Sequence, residues 1–236
     1  MIKLAISGAL GRMGKSIIRL AENDPELKVT GKIEKKPNPE LGIVSALGDV
    51  KDAFDCIIEF TSPQATMEHL KWARKKHVAM IIGTTGFTSE ELKTIEDAAS
   101  EIPIVFSSNM SVGVNVLFDL IEKAAERLGD EYKTSIVETH HVHKKDKPSG
   151  TAKFMAKIVK DAFGAGDICT ESIREGEVIG DHEITFESDV DVIKISHSAK
   201  TRDILALGAL KAAKFIAKKK NGFFSMKNVL KIEEER

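Results

Sequence analysis

Three histidines, four lysines and a Pro-Ser-Gly-Thr turn fall within the sixteen residues Glu138 to Lys153, ETHHVHKKDKPSGTAK. Three chemistries fit residues of these types. Histidines at short spacing can hold a metal, a lysine-rich polar run can be a solvated loop, and a histidine beside fixed positive charge can be an acid–base site for an anion. The metal reading is the weakest. On a strand, alternate residues share a face, so Glu138 and His140 point one way while Thr139, His141 and His143 point the other. The HExxH spacing is absent, a third ligand would have to come from His182 or His197, and four lysines would repel a cation. No metal is expected. The acid–base reading gains from the residues after the histidines. Ser149-Gly150-Thr151 opens a predicted helix, so Gly150 and Thr151 present backbone N–H groups, and Thr151 a hydroxyl, to an anion, with Lys144 and Lys147 adding charge. The order of parts suits a carboxylate-binding acid–base site.

A second chemical signal stands at the N-terminus. In AISGALGRMGKS, residues 5–16, Gly8, Gly11 and Gly14 lie between a predicted strand and a predicted helix. The spacing is GxxGxxG, with Leu10 where the commoner GxGxxG pattern has its middle glycine. Gly8 permits the tight turn, Gly11 the approach of a pyrophosphate and Gly14 close helix–strand packing. Glu34 follows twenty positions after Gly14, at the end of the second predicted strand, where a carboxylate accepts from a ribose 2′-hydroxyl. Lys35 and Lys36 come next and can neutralise a 2′-phosphate, so the mixture predicts use of both NADH and NADPH. The bland alternative is a tight turn and a solvated charged loop. GTTGF, residues 83–87, ends a buried strand, where ligands sit in open α/β sheets.

These motifs need elements to hold them. Through residue 107 the sequence alternates short apolar runs with helical patterns, which predicts parallel strands and crossover helices. Strands are expected at 2–7, 28–34, 55–60, 78–83 and 102–107, with helices at 11–23, from Pro63, from 88 to about 100, and at 114–128. Ser62-Pro63 is a helix start, and Thr88 with Glu91 forms a capping box. The texture then changes. Strands at 132–141, 182–188 and 191–199, with one helix near 150–163, predict a mixed or antiparallel sheet. A last helix is expected at 204–219. Breaks near 110 and 200 suggest two domains, the last helix returning to the first.

Composition limits the function classes. Hydrophobic residues make up 42% and charged residues 30%, and the formal net charge is −1, which leaves no global field for nucleic acid or a membrane surface. One Trp and one Tyr give little for base stacking. Cys56 and Cys169 form no CxxC pattern, no apolar run approaches membrane-spanning length, and a cytoplasmic protein is expected.

Taken in order, GALGRMG (8–14), EFTSP (59–63), GTTGF (83–87), SSNMSVGVN (107–115) and ETHHVHKKDKPSGTA (138–152) resemble the 4-hydroxy-tetrahydrodipicolinate (dihydrodipicolinate) reductase family. REGEVIGDHEITF (174–186), HSAKTRDILALGALKAA (197–213) and GFFSMKNVL (222–230) extend the resemblance over nearly the whole chain. It implies an α/β protein with an N-terminal Rossmann-type dinucleotide-binding domain (1–111 and 202–236) and an α+β substrate-binding domain with a mixed sheet (112–201). The latter would also join a homotetramer. It implies NAD(P)H-dependent reduction of a small cyclic dicarboxylate in the diaminopimelate route to lysine. By motif position, His140 is the acid–base residue and Lys144 its partner, while His141, Ser149, Gly150 and Thr151 contact substrate. Gly8, Ala9, Leu10, Gly11, Arg12, Met13, Glu34, Lys35, Gly83, Thr84, Thr85, Ser107, Ser108, Asn109 and Met110 line the cofactor site. Lys147 replaces a common alanine, and Lys145 a small or apolar residue in many members. Arg202 is a weaker candidate for closing over substrate, and Asn109–Gly113 a candidate hinge. Two other classes remain: a metal-dependent hydrolase using His140, His141 and His143, and a nucleotide-binding protein without catalysis, which would need no His140–Lys144 pair.

Overall fold

The computed structural model describes residues 1–164 and 168–232. The chain divides into two compact units, Met1–Val112 with the segment from Leu205 onward, and Gly113–Ile204. The last residues of the expected 202–236 segment, 233–236, lie outside the described residues.

The first unit is built on a seven-stranded parallel sheet. Its strands are β1 (Ile2–Ser7), β2 (Leu27–Ile33), β3 (Ile43–Val44), β4 (Cys56–Glu59), β5 (Ala79–Ile82), β6 (Pro103–Phe106) and β11 (Gly222–Phe224). Their order is β11-β6-β5-β4-β1-β2-β3, every pairing parallel. The chain winds outward from β1 in both directions, so the crevice between β1 and β4 is the switch point at which α/β sheets bind ligands. Both faces are covered, which explains the unbroken apolar runs of the central strands. On one face Leu4, Ile6, Cys56, Ile58, Ile81 and Val105 pack against α1 (Arg12–Ala21), α6 (Asp203–Ile216) and α7 (Met226–Leu230). On the other, Ala5, Ile57, Met80, Ile82 and Ile104 pack against α2 (Pro63–Lys76) and α3 (Ser89–Ala98). The predicted helix starts are present: Ser62 accepts from Ala65 N–H, and Thr88 and Glu91 form a reciprocal capping box.

The second unit has a four-stranded mixed sheet in the order β10-β9-β7-β8. It comprises β7 (Lys133–His140), β8 (Cys169–Arg174), β9 (Asp181–Glu187) and β10 (Val192–Ser198), with β7 and β8 parallel and the other pairs antiparallel. Ile136, Ile184 and Phe186 face α4 (Val112–Leu128) and α5 (Gly150–Phe163), and there form the unit's core with Val114, Phe118, Ile121, Met155 and Val159.

The sequence expectation needs three corrections. The helix at 150–163 is followed by a strand, β8, that the polar run CTESIR does not announce. Strand β7 ends at His140 instead of 141, so His141 and His143 lie in the turn beyond it and have no strand face. Short strands β3 and β11 and helix α7 add to the first unit.

Candidate active site

In the first unit the glycine turn joins β1 to α1 as its spacing requires. Gly8 has φ +72°, and a Cβ on Gly14 would lie 2.2 Å from the Gly8 carbonyl, so only glycine lets α1 pack this close to the turn. Gly8 and Ala9 donate to the Ile33 carbonyl at 2.9 and 3.0 Å, which binds the turn to the end of β2. Helix α1 starts at Gly11 with no side-chain cap and no acid in its first turn, unlike α2, α3 and α5, whose starts are each capped by a hydroxyl. Its first N–H groups suit a pyrophosphate. The Glu34 carboxylate accepts from Leu10 N–H at 3.2 Å and Lys35 N–H at 3.0 Å, which sets it beside the turn. Gly8, Glu34 and Lys35 line a cavity of about 430 Å³ together with Ser7, Thr61, Gln64 and His69. Arg12 is exposed at the start of α1, and Met13 packs against the core.

Gly83, Thr84 and Thr85 follow β5, and Ser107 to Met110 follow β6, at the same carboxyl edge of the sheet. A Cβ on Gly83 would lie 2.1 Å from the Phe60 ring. Thr84 is buried and accepts from Thr61 N–H at 3.0 Å; Thr85 and Ser108 are exposed, and Met110 is buried. Ser107 Oγ donates to the Asn109 carbonyl at 2.7 Å, and Asn109 Oδ1 accepts from Ser111 N–H at 2.9 Å. The sequence reading missed the buried Glu59, whose carboxylate meets the Thr61 hydroxyl and His69 Nδ1, the latter at 2.6 Å. A cavity of about 470 Å³ between Thr30 and Asp52 at the β2–β3 edge contains none of the expected site residues.

In the second unit the period-two pattern places Glu138 and His140 on the buried face of β7. Glu138 is fully buried and takes the His140 Nδ1 contact. It also accepts from both Arg174 terminal nitrogens, at 3.1 and 2.9 Å, and from Ser149 N–H at 3.2 Å. With Nδ1 turned to the carboxylate, Nε2 is the outward nitrogen of His140. A Cβ on Gly180 would sit 3.0 Å from that Nε2, so the glycine keeps the nitrogen uncrowded. His182, paired with Glu138 across β7 and β9, stacks edge-on against His140 at 5.1 Å, and its Nε2 meets Ser149 Oγ at 3.1 Å. Ser149 Oγ in turn accepts from Ala152 N–H at 3.1 Å and caps α5, so Gly150 and Thr151 occupy the first turn of that helix. Lys144 Nζ lies 2.9 Å from Asp146 Oδ1, and Arg202 Nη2 lies 3.1 Å from His141 Nε2. His143 is exposed and pairs loosely with Glu177 at 3.5 Å.

Burial holds the His140 pKa below 6.5, with Lys144 and Arg174 adding to it against the pull of Glu138. Burial pushes the Glu138 carboxyl up, and hydrogen bonds, foremost from Arg174, outweigh it, so its pKa falls below 4.5. His182 is driven to about 4 by burial and by His140. Glu138, Arg174 and His182 were outside the expected site. The shared face of Glu138 and His140 was the signal for the first, and the REGEVIGDHEITF motif for the other two. Among the described residues no group of three or more histidine, cysteine or acidic side chains is placed to hold a metal.

Two family models meet almost end to end along the chain: dihydrodipicolinate reductase, N-terminus, over residues 2–110, and dihydrodipicolinate reductase, C-terminus, over 113–230. The chain belongs to the dihydrodipicolinate reductase family. A 4-hydroxy-tetrahydrodipicolinate reductase of Methanocorpusculum labreanum is 39% identical, over 98% of this chain and 99% of its own length. Another from Caldanaerobacter subterraneus subsp. tengcongensis is 38% identical over 98% and 99%. The fold is shared with a dipicolinate-bound dihydrodipicolinate reductase from Paenisporosarcina sp. TG-14, with TM-score 0.84 and 21% identity over 97% of this chain and 99% of that one. Membership in the dihydrodipicolinate reductase family makes the chain an NAD(P)H-dependent oxidoreductase of lysine biosynthesis by the diaminopimelate route. The parallel-sheet unit and the mixed-sheet unit agree with that family's two-part description.

Proposed function

We propose that the chain reduces 4-hydroxy-tetrahydrodipicolinate, a cyclic dicarboxylate, at the His140–Lys144 site, with the first unit binding the dinucleotide and the second the substrate. The observation that carries the site assignment is the His140 imidazole backed by the buried Glu138 carboxylate, on the strand that leads into Lys144 and the N-terminus of α5. One substrate carboxylate is held by the Gly150 and Thr151 N–H groups and the Thr151 hydroxyl; His141 and Ser149 complete that pocket. The 4-hydroxyl must first leave as water to give the conjugated ring, to which a nicotinamide cofactor held by the first unit would supply two electrons as hydride. Lys144 stabilises the charge that this places on the ring, and His140 delivers one proton from Nε2 to complete the reduction. In the free protein Nδ1 holds the neutral ring's proton against Glu138, so Nε2 becomes a donor only when the ring is protonated. A dianionic substrate favours that form.

The cofactor is held by Gly8 to Met13, Glu34, Lys35, Gly83 to Thr85 and Ser107 to Met110. Both NADH and NADPH serve: Glu34 accepts from a ribose 2′-hydroxyl, and Lys35 beside it neutralises a 2′-phosphate. A homotetramer through the second unit's sheet is supported by β10, an edge strand with no buried residue. A cytoplasmic location accords with two free cysteines. The test is loss of nicotinamide absorbance with substrate generated in situ from pyruvate and aspartate semialdehyde by its synthase. Turnover with NADH and with NADPH should survive a chelator and collapse in His140→Gln and Lys144→Ala. Absence of turnover by the folded wild type with either cofactor would overturn the assignment.

A further inference from the structure

Arg174 is nearly buried at the end of β8, and its guanidinium reaches in two directions. Towards β7 it meets both oxygens of Glu138, with Nη1 at 3.1 Å and Nη2 at 2.9 Å. Towards the loop it donates from Nε to the Lys144 carbonyl at 3.3 Å and from Nη2 to the Asp146 carbonyl at 2.5 Å. The loop's own ion pair, Lys144 with Asp146, is thereby anchored at both residues. A planar fork with fixed donors can hold carboxylate and carbonyls in one geometry, which a lysine cannot.

We propose that Arg174 is a positioning residue for the reduction, fixing the His140 imidazole through Glu138 and the Lys144 ammonium through the loop carbonyls in a single frame. This rests on the assignment of His140 and Lys144 given above. Neither reacting group touches Arg174 directly, so it acts through its neighbours. It also balances charge. The groups facing His140 are Glu138 on β7, Arg174 on β8, His182 on β9 and Lys144 in the loop. With Arg174 removed, the buried Glu138 carboxylate loses its cationic partner, keeps His140, the Ser149 N–H and the Ser172 hydroxyl, and draws a proton onto the imidazole.

The two functions of Arg174, charge and geometry, separate by substitution. Arg174→Met removes both, and the His140 titration, read by NMR of ¹⁵N-histidine-labelled protein and assigned with His140→Gln, should move upward. Arg174→Lys keeps the charge and loses the fork. Its His140 titration should stay near that of the wild type, while kcat falls about 100-fold with a much smaller change in KM. If Arg174→Met proves unstable, guanidinium ion added to Arg174→Ala should restore turnover. Folded Arg174 variants with wild-type kcat and an unmoved His140 titration would overturn the proposal. Wild-type turnover in His140→Gln would instead overturn the proton-donor assignment, and the NMR titration would still report whether Arg174 governs the ring.

Discussion

A carboxylate behind an imidazole decides which nitrogen faces outward, and here Glu138 gives Nε2 of His140 that place. The proton-donor role proposed for His140 fixes the direction of the pH dependence. A donor must be protonated, so kcat/KM should fall as pH rises through a free-enzyme value below 6.5. The kcat profile should fall at a higher pH, because a dianion bound as proposed would raise the pKa in the complex. Steady-state rates from pH 5 to 9 check this; a kcat/KM that rises with pH would reverse the role to general base. At the other site, Glu34→Gln should raise the KM for NADH about tenfold and change that for NADPH less, since the proposed charge-assisted hydrogen bond to the ribose would be lost. That Glu138 and His140 share one face of β7 was legible from strand alternation, whereas their hydrogen bond was not. Arg174 was not, because an arginine in a polar run says nothing of its partner until the strands are paired.

Among the elements, β8 shows where sequence patterning stops. CTESIR has no alternation of apolar and polar residues, and the strand exists because the parallel register with β7, from Ser135–Cys169 to His140–Arg174, gives its backbone a partner. The central strands of the first unit were legible because burial on both faces makes them uniformly apolar. Short β3 and β11 were not, having too few residues for any period. Helix α6 carries its own constraint at Gly208, where a Cβ would lie 1.7 Å from the Met110 carbonyl. Backbone on both sides cannot yield cheaply, so Gly208→Ala should cost at least about 2 kcal/mol, read from urea unfolding. A variant as stable as wild type would show that α6 can shift away from Met110.

For the molecule as a whole, His182 predicts acid sensitivity. Its folded pKa, about 4, lies below the 6.5 of the unfolded chain. The unfolded state therefore binds the proton more tightly, and the stability due to neutral His182 is complete above pH 6.5 and lost as pH falls towards 4. The difference corresponds to about 3 kcal/mol. Unfolding midpoints between pH 7 and 4 should show this loss, and His182→Gln should flatten it. With Asn109–Gly113 as the hinge, small-angle scattering should register compaction when cofactor analogue and dicarboxylate are both bound. An unchanged radius would remove the hinge from the account.

The first unit is discontinuous in sequence: the chain leaves it after Val112 and re-enters at Leu205. During synthesis the second unit, Gly113–Ile204, can therefore emerge whole and close its core while the first still lacks α6, α7 and β11. The face of the parallel sheet built from Leu4, Ile6, Ile58 and Ile81 stays partly uncovered until Ala206, Ala209, Leu210 and Ala213 leave the ribosome. A nascent chain stalled before those residues should present that apolar face to chaperones, with its second unit already folded.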